Sequence, residues 1–234
     1  MENGWRGRIY QLTEQTPTSA FTCETPFGIR TIEFTADNGF LLNGKHVPIN
    51  GVCDHSDLGP LGTVVNTRAL ERQIEILKTF GCNAIRTSHN APAPELLDLC
   101  DHMGMLVMDE SFDCWQGRKR RNDYSLLFND WHERDWRAEL RRDRNHPSII
   151  LWSIGNEIKE QRSPEKFWIP AELTRIAHEE EPFQAREHDA FNGLALGIIR
   201  ATQPGDITLK AYADGLKGAT TLRGEDFEPF PQLQ

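Results

Sequence analysis

Short apolar runs alternate with segments of helical periodicity through the middle of the chain, and this alternation constrains the fold most. The runs lie at about residues 47–53, 83–86, 105–108 and 148–154, and each precedes a segment with apolar residues at helical spacing. Four such repeats predict parallel strands joined by right-handed crossovers. A complete eight-stranded barrel needs about 250 residues, whereas the alternation covers about 140. We therefore expect an α/β fold, a partial TIM barrel of about four strand–helix units.

The two ends of the chain have a different pattern. Residues 19–35 are rich in β-forming side chains, and residues 207–211 alternate between apolar and polar with period two. We expect short antiparallel β segments on both sides of the α/β part. The predicted boundaries are 1–39, 40–185 and 186–234.

The charge and the apolar content exclude several classes of partner. The net charge is −9, which argues against a nucleic-acid partner, and the basic run Arg118–Arg121 is interpreted as a solvated loop. No apolar run approaches the roughly 18 residues that a membrane span needs, so no membrane partner is expected. The first residues lack the layout of a secretory signal, which predicts a cytoplasmic location.

Cofactor signals are absent from the sequence. The five cysteines form no CxxC pair, and their odd number favours reduced thiols over a disulfide framework or a structural zinc. No strand is followed by a GxGxxG or P-loop sequence, so a nucleotide site is not expected. The sequence predicts neither a metal nor a cofactor.

Ionisable residues follow every predicted strand at the point where it ends. In an α/β barrel the working residues lie at the carboxyl ends of the strands. One polar strand end is unremarkable, but four at the same rim indicate a binding or catalytic site rather than a structural network. The four strand ends are Asp54–His55, Arg86–Asn90, Asp109–Glu110 and Gly155–Glu157.

Glu157 is the strongest candidate for a catalytic residue. A carboxyl at the end of an apolar strand near Trp152 is expected to be partly desolvated, which raises its pKa. A raised pKa suits a general acid that protonates a leaving oxygen near neutral pH. Its neighbour Asn156 offers a donor and an acceptor for a sugar hydroxyl. The alternative is that Glu157 caps the next helix or forms a salt bridge with Arg86.

The motifs together resemble glycoside hydrolase family 2, which contains β-galactosidases, β-glucuronidases and β-mannosidases. The segments that carry the resemblance, in the family's order, are Gly51–His55, Asn83–Asn90, Leu106–Glu110 and Arg144–Glu157. Asp57–Gly59 and Ala91–Leu97 look most like bacterial β-galactosidases. The resemblance covers nearly all of residues 25–182.

The resemblance implies a role for each matching residue. Glu157 would be the acid/base of a retaining mechanism, and Trp115 could stack on a sugar, whereas Trp131 and Trp136 are expected to pack within a helix. The remaining implied substrate-binding residues are Asn156, His55, Arg86, His89 and Asp109. It also implies that residues 1–39 are a remnant of a preceding β-sandwich, and that residues 186–234 resemble part of a C-terminal immunoglobulin-like domain.

The sequence departs from the family pattern in the second half of the barrel. The family's nucleophile is a second glutamate from a later strand, and no segment here matches that strand. A retaining mechanism needs two carboxyl groups about 5–5.5 Å apart. Asp109, Glu110 and Glu187 are candidate substitutes, although none matches the motif. Cys114 stands where many relatives have a glutamate, which puts a metal ligand at that position in doubt.

Two functions follow from these observations. The first is hydrolysis of terminal β-galactosides with Glu157 as proton donor. The second is a sugar-binding remnant or fragment that lacks the nucleophile. Half a barrel also has two open edges, and exposed edges invite pairing with another chain. We expect either a homo-oligomer that completes the edges or terminal β segments that cover them.

Overall fold

The computed structural model describes residues 9–15, 22–28, 30–180, 207–213 and 216–222, with side chains for residues 27–28 and 30–180. The strands are β1 (Ile9–Gln15), β2 (Thr22–Gly28), β3 (Ile32–Thr35), β4 (Gly39–Leu42), β5 (Lys45–His46), β6 (Gly51–His55), β7 (Ala84–Ser88), β8 (Leu106–Glu110), β9 (Ile149–Ser153), β10 (Ile207–Ala213) and β11 (Leu216–Leu222). The α-helices are α1 (Thr67–Thr79), α2 (Pro94–Met103), α3 (Phe128–Asp143) and α4 (Trp168–Glu180). Short 3₁₀ turns lie at Gly59–Leu61, Tyr124–Leu126, Lys159–Arg162 and Pro164–Lys166.

The central feature is a four-stranded parallel sheet in the order β6-β7-β8-β9. Cys53 pairs with Arg86, Arg86 with Met108, and Asp109 with Trp152, so the carboxyl ends of all four strands lie at one edge. A helix connects each strand to the next, and α4 follows the last strand. The prediction of four strand–helix units of a partial barrel is confirmed.

Most helix boundaries follow from the capping residues in the sequence. The Asn66 side chain accepts a hydrogen bond from the Ala69 amide at 3.0 Å, and so begins α1. Gly104 ends α2 in the left-handed conformation that glycine adopts without strain (φ 70°). Asp130 and Glu133 have the spacing of a capping box, which predicts that this helix begins near Asp130, and that prediction is wrong. The helix α3 begins earlier, at Phe128, and the Asp130 amide already donates to the Leu127 carbonyl.

Three apolar clusters hold the sheet and its helices together. One lies between the sheet and α1 and α2, and includes Ile74 and Leu97. The second packs α3 against α4 around Trp136. In the third, Phe40 and Leu42 of β4 pack against Ala84, Leu106 and Ile150, near the amino ends of three strands. The amino end of the sheet is therefore filled with apolar side chains, whereas the polar residues lie at the carboxyl end.

The other strands form small sheets, as expected for the flanks of the α/β part. Strands β3, β4 and β5 form an antiparallel sheet, β1 pairs with β2, and β10 pairs antiparallel with β11. The described residues fall into two compact units. Residues 9–10, 26–28 and 30–180 form the first, and residues 11–15, 22–25, 207–213 and 216–222 form the second. The sequence also has an apolar segment at residues 194–199, which favours β structure, and this segment lies outside the described residues. The boundaries at 39 and 185 stay a prediction.

No disulfide joins the cysteines whose side chains the structure describes. The described cysteines Cys53, Cys82, Cys100 and Cys114 are all free thiols, and the side chain of Cys23 lies outside the described residues. Across the part of the chain that the structure describes, no helix has the length and apolarity to cross a membrane.

Candidate active site

The carboxyl ends of β7, β8 and β9 converge on the carboxylate of Glu110. This side chain is fully buried. Its Oε2 accepts hydrogen bonds from Arg86 Nε at 2.9 Å, Arg86 Nη2 at 2.6 Å and Ser153 Oγ at 2.5 Å. Its Oε1 lies 2.7 Å from His89 Nδ1, and because a carboxylate only accepts, the ring proton is on Nδ1. The guanidinium and the further donors offset part of the free-energy cost of burying this carboxylate.

Asn156 connects this group to the loop after β9. Its Oδ1 accepts from Arg86 Nη2 at 3.0 Å, and its Nδ2 donates to Asp113 Oδ1 at 3.2 Å. Lys119 Nζ donates both to Asp113 Oδ1 at 3.0 Å and to the Asn156 carbonyl at 2.7 Å. Burial by itself would raise the pKa of Asp113, but the hydrogen bonds from Lys119 and Asn156 outweigh it and the pKa is lowered. The backbone just before Glu157 is therefore fixed by ion-paired side chains.

Glu157 lies directly after this fixed residue and faces outward. It is exposed, and its backbone has a φ of +43°, in the left-handed region that is uncommon outside glycine. The expected partial burial of its carboxyl next to Trp152 is therefore wrong. The reason is that β9 is the edge strand of the described sheet, and no further described strand lies beside it to cover the carboxyl. The alternative salt bridge with Arg86 is also absent from the described contacts, since Arg86 binds Glu110.

His55 and His89 meet at the same rim from neighbouring strands. Their rings contact edge to face, with centroids 4.9 Å apart. Two residues before His55, the sulfur atom of Cys53 accepts a hydrogen bond from Arg86 Nη1 at 3.6 Å. The sequence-predicted residues Arg86, His89, His55 and Asn156 are thus brought together by the structure.

Two of the predicted sugar-binding residues lie elsewhere. Asp109 is fully buried beside Glu139 and Asp143 of α3, because consecutive residues of a strand point to opposite faces. The ring of Trp115 is only 3% exposed, and its indole N–H donates to the Ile154 carbonyl at 2.7 Å. Trp115 is among the residues that line a cavity of about 260 Å³, and its ring centroid lies 6.3 Å from that of Phe128.

The two tryptophans of α3 differ from each other in burial. Trp136 is fully buried, as expected for helix packing. Trp131 is 41% exposed, and the Arg134 guanidinium lies over its ring at 4.8 Å, so the packing role expected for it is wrong.

Sequence reasoning missed three residues of the site. In the sequence Ser153 is only one residue of an apolar strand, but its position on β9 places it opposite Glu110. Asp113 comes from a loop without periodicity. Lys119 belongs to the basic run for which the sequence predicts a solvated loop, but its side chain is only 17% exposed and forms an ion pair with Asp113. No local pattern distinguishes these two loop residues.

Neither Asp109 nor Glu110, the two candidate nucleophiles that the structure describes, presents an accessible carboxylate at the carboxyl end of the sheet. Glu110 is saturated with hydrogen bonds, and Asp109 is buried on the helix side of β8. Burial, together with the charges of Glu139 and Asp143, raises the pKa of Asp109. Glu187 lies outside the described residues. Asp113, which is 37% exposed, is the carboxylate that borders Asn156 on the accessible side.

The chain is similar in sequence to known proteins. A beta-galactosidase, BoGH2A of Bacteroides ovatus, is 61% identical over 142 residues, which are 61% of this chain and 17% of that protein. A putative beta-glucuronidase of Formosa agariphila is 44% identical over 142 residues, covering 60% of this chain and 14% of that protein. The chain thus spans less than a fifth of the length of these two relatives.

Solved structures are also similar to the chain. A glycosyl hydrolase family 2 member from Bacteroides cellulosilyticus matches with a TM-score of 0.69 and 44% identity, covering 73% of this chain and 22% of that one. A beta-glycosidase from Bacteroides vulgatus matches with a TM-score of 0.69 and 42% identity, covering 74% and 22%.

Two family models match the chain in succession. Residues 33–167 match the TIM barrel domain of glycosyl hydrolases family 2. Residues 174–222 match the glycoside hydrolase family 2 C-terminal domain 5. The first match alone covers more than half of the chain, and its strand ends carry the group around Glu110. The chain therefore belongs to glycoside hydrolase family 2.

Proposed function

We propose that the chain acts on terminal β-galactosides by a retaining glycosidase mechanism in which Glu157 donates the proton. The observation that carries the proposal is the position of Glu157, exposed at the carboxyl end of β9 directly after Asn156. Arg86 and Lys119 bind Asn156 and fix its position, so the backbone that carries the side chain of Glu157 is held in place. The similarity to a beta-galactosidase favours galactosides, and the similarity to beta-glucuronidases makes glucuronides the competing substrate class.

Each residue of the group has a proposed task. Asn156 contacts a sugar hydroxyl with its amide, a contact that gains strength in the transition state. Arg86, His89 and His55 line the sugar pocket. Glu110 is a positioning residue, because its hydrogen bonds orient Arg86 and His89 while it is itself buried. Asp109 and Trp115 are left out as sugar contacts, since one is buried against α3 and the other inside the second apolar cluster.

Retention requires a second carboxylate close to Glu157. Among the described residues, Asp113 is the candidate for this second carboxylate, since its lowered pKa keeps it ionised and it contacts Asn156. We further propose that a second copy of the chain covers the open edges at β6 and β9. The cytoplasmic location also stays a prediction.

A specific observation favours the second function, sugar binding without hydrolysis. Only residues 168–173 lie between the two family matches, so the remaining barrel strands are not encoded between them. The family's nucleophile strand belongs to that part of the barrel. Removing one member of a catalytic pair commonly lowers the rate by orders of magnitude.

The test compares hydrolysis by the wild type with hydrolysis by Glu157→Gln. The substrates are a nitrophenyl β-galactoside, a nitrophenyl β-glucuronide and an alkyl β-galactoside. We expect Glu157→Gln to lower kcat on the alkyl galactoside by about 100-fold or more, because a poor leaving group needs the proton. The loss should be smaller for nitrophenol, which leaves without protonation. Glu165→Gln, an exposed glutamate nearby, is the matched control and should retain the wild-type rate.

The outcomes separate the two functions. Equal rates in the wild type and Glu157→Gln would remove Glu157 from the mechanism. An inactive wild type that still binds galactose by calorimetry, and loses this binding on Asn156→Ala, would support the sugar-binding function instead.

A further inference from the structure

Three buried carboxylates form a second polar cluster, on the opposite side of β8 from Glu110. Asp109 comes from β8, and Glu139 and Asp143 come from α3, one turn apart. All three residues are at least nine-tenths buried. Each contributes a carboxylate oxygen, and these oxygens lie within 4.8 Å of one another. This cluster has no part in the proposed hydrolysis.

The hydrogen bonds around the cluster leave two of its oxygens without a donor. Both oxygens of Asp143 accept from Arg142, at 2.5 Å each, and Ser111 Oγ donates to Glu139 Oε2 at 2.6 Å. Within the described part of the chain, the fully or nearly buried atoms Asp109 Oδ2 and Glu139 Oε1 have no hydrogen-bond partner. Buried polar atoms are normally paired, and leaving one unpaired costs free energy.

The charges are also unbalanced. When all three carboxyl groups are ionised they carry three negative charges, and Arg142 supplies one positive charge, which leaves two. A divalent cation would therefore neutralise the cluster. A cavity of about 420 Å³ reaches Glu139 and Ser111, and two further acidic residues, Asp113 and Asp135, line it. This acidic lining attracts cations towards Glu139.

We propose that Asp109, Glu139 and Asp143 bind one divalent cation of the hard, oxygen-preferring class, Ca²⁺ or Mg²⁺. Two oxygens on opposite sides of Ca²⁺, at about 2.4 Å each, are about 4.8 Å apart, so the spacing fits ions of this class. The cation would be coordinated by Asp109 Oδ2 and Glu139 Oε1, the two oxygens that have no hydrogen-bond donor. It would also join β8 to α3, directly beneath the strand end that carries Glu110.

The experiment uses the whole chain after removal of divalent ions with EDTA. CaCl₂ and MgCl₂ are titrated separately by calorimetry, and the midpoint of thermal unfolding is followed in parallel. We expect saturation at one ion per chain for at least one of the two. The midpoint should rise by about 5 °C when the ion concentration is about 100 times Kd.

Variants then locate the ion. Glu139→Gln keeps the shape of the side chain and an acceptor for Ser111, and should weaken binding at least 10-fold. Glu133→Gln, the same change at an exposed position of α3, should bind as the wild type does. Equal binding by both variants would overturn the assignment.

The wild-type titration tests the proposal even where a variant does not fold. Absence of saturable binding by either ion would overturn the proposal. The same holds if neither ion stabilises the wild type while Glu139→Gln is more stable than the wild type without ions. That result would mean that the carboxylates share protons rather than a cation.

Discussion

Glu110 holds a charge inside the protein because three neighbouring residues donate to it. Arg86, Ser153 and His89 come from the carboxyl ends of β7 and β9 or from the loop after β7, and they meet only when the parallel register is formed. The same hydrogen bonds fix the guanidinium that orients Asn156. The buried ion pair thus fixes the positions of the side chains at this rim.

Removing Arg86 should expose the cost of this buried charge. Arg86→Met leaves Glu110 without its guanidinium, and we expect the free energy of unfolding to fall by about 3 kcal/mol. Glu110→Gln in addition removes the charge that needs the guanidinium, so the double variant should lose less than the sum of the two single variants. Urea unfolding at neutral pH measures all four corners of the cycle.

Arg68 provides the control for this cycle. Its guanidinium pairs with Glu71 and Glu75 on the exposed face of α1, with 64% of its side chain exposed. Arg68→Met should therefore change the free energy of unfolding by less than about 1 kcal/mol. Strictly additive losses for Arg86→Met and Glu110→Gln would contradict the coupling.

At the residue scale, the sequence predicted which strand-end residues lie at the rim, but not the buried and loop residues that hold them. Arg86, His89, His55 and Asn156 follow strands that are visible as apolar runs, so their position could be inferred. Asp109 and Glu110 are adjacent and chemically alike, and only the pleat decides which of them faces the rim. Lys119 and Asp113 enter from an irregular loop whose path depends on tertiary contacts.

At the scale of elements, charged side chains join α3 to α4. Glu180 accepts hydrogen bonds from Arg137 and Arg141 of α3. Burial alone would raise the pKa of Glu180, but the hydrogen bonds from Arg141 and Arg137 outweigh it, and the pKa is lowered from 4.5. The charged form of Glu180 is therefore favoured in the folded protein.

This lowered pKa predicts a pH-dependent contribution to stability. A group whose pKa is lower in the folded state stabilises the fold above its unfolded pKa, and this stabilisation is lost as the pH falls through the folded value. The wild type should therefore exceed Glu180→Gln in free energy of unfolding near neutral pH. The difference should shrink below about pH 4.5, the ordinary value for a glutamate.

Urea unfolding of both chains at several pH values measures this difference. Glu165→Gln, at an exposed position, is the control and should show little difference at any pH. A difference between the wild type and Glu180→Gln that stays constant down to about pH 4 would show that Glu180 acts by packing alone.

At the scale of the whole molecule, the fold class was predictable because strand–helix alternation is a local pattern repeated four times. The elements start at residues with known capping chemistry, such as Asn66 and Pro94. Exposure of Glu157 was not predictable in the same way. It depends on what lies beyond β9, and the apolar strand itself would have suited a closed barrel equally well.

The open edges make association of two copies the expected outcome. Among the described residues, β6 pairs only with β7, and β9 pairs only with β8. A second copy related by a twofold axis could place its β6 beside β9 and its β9 beside β6, which closes eight parallel strands. Closure removes edges that otherwise invite unspecific pairing.

Sedimentation velocity at rising protein concentration tests this association. The wild type should sediment as a dimer, and Cys53→Lys should shift it towards monomer, because a charge on the exposed edge strand opposes pairing. Phe80→Lys introduces the same side chain at a residue 79% exposed at the end of α1, outside both edge strands, and should leave the dimer intact. Circular dichroism of each variant checks that the fold is retained. A well-folded wild-type monomer at every concentration would contradict closure by a second copy, and would leave Glu157 facing solvent in the working protein.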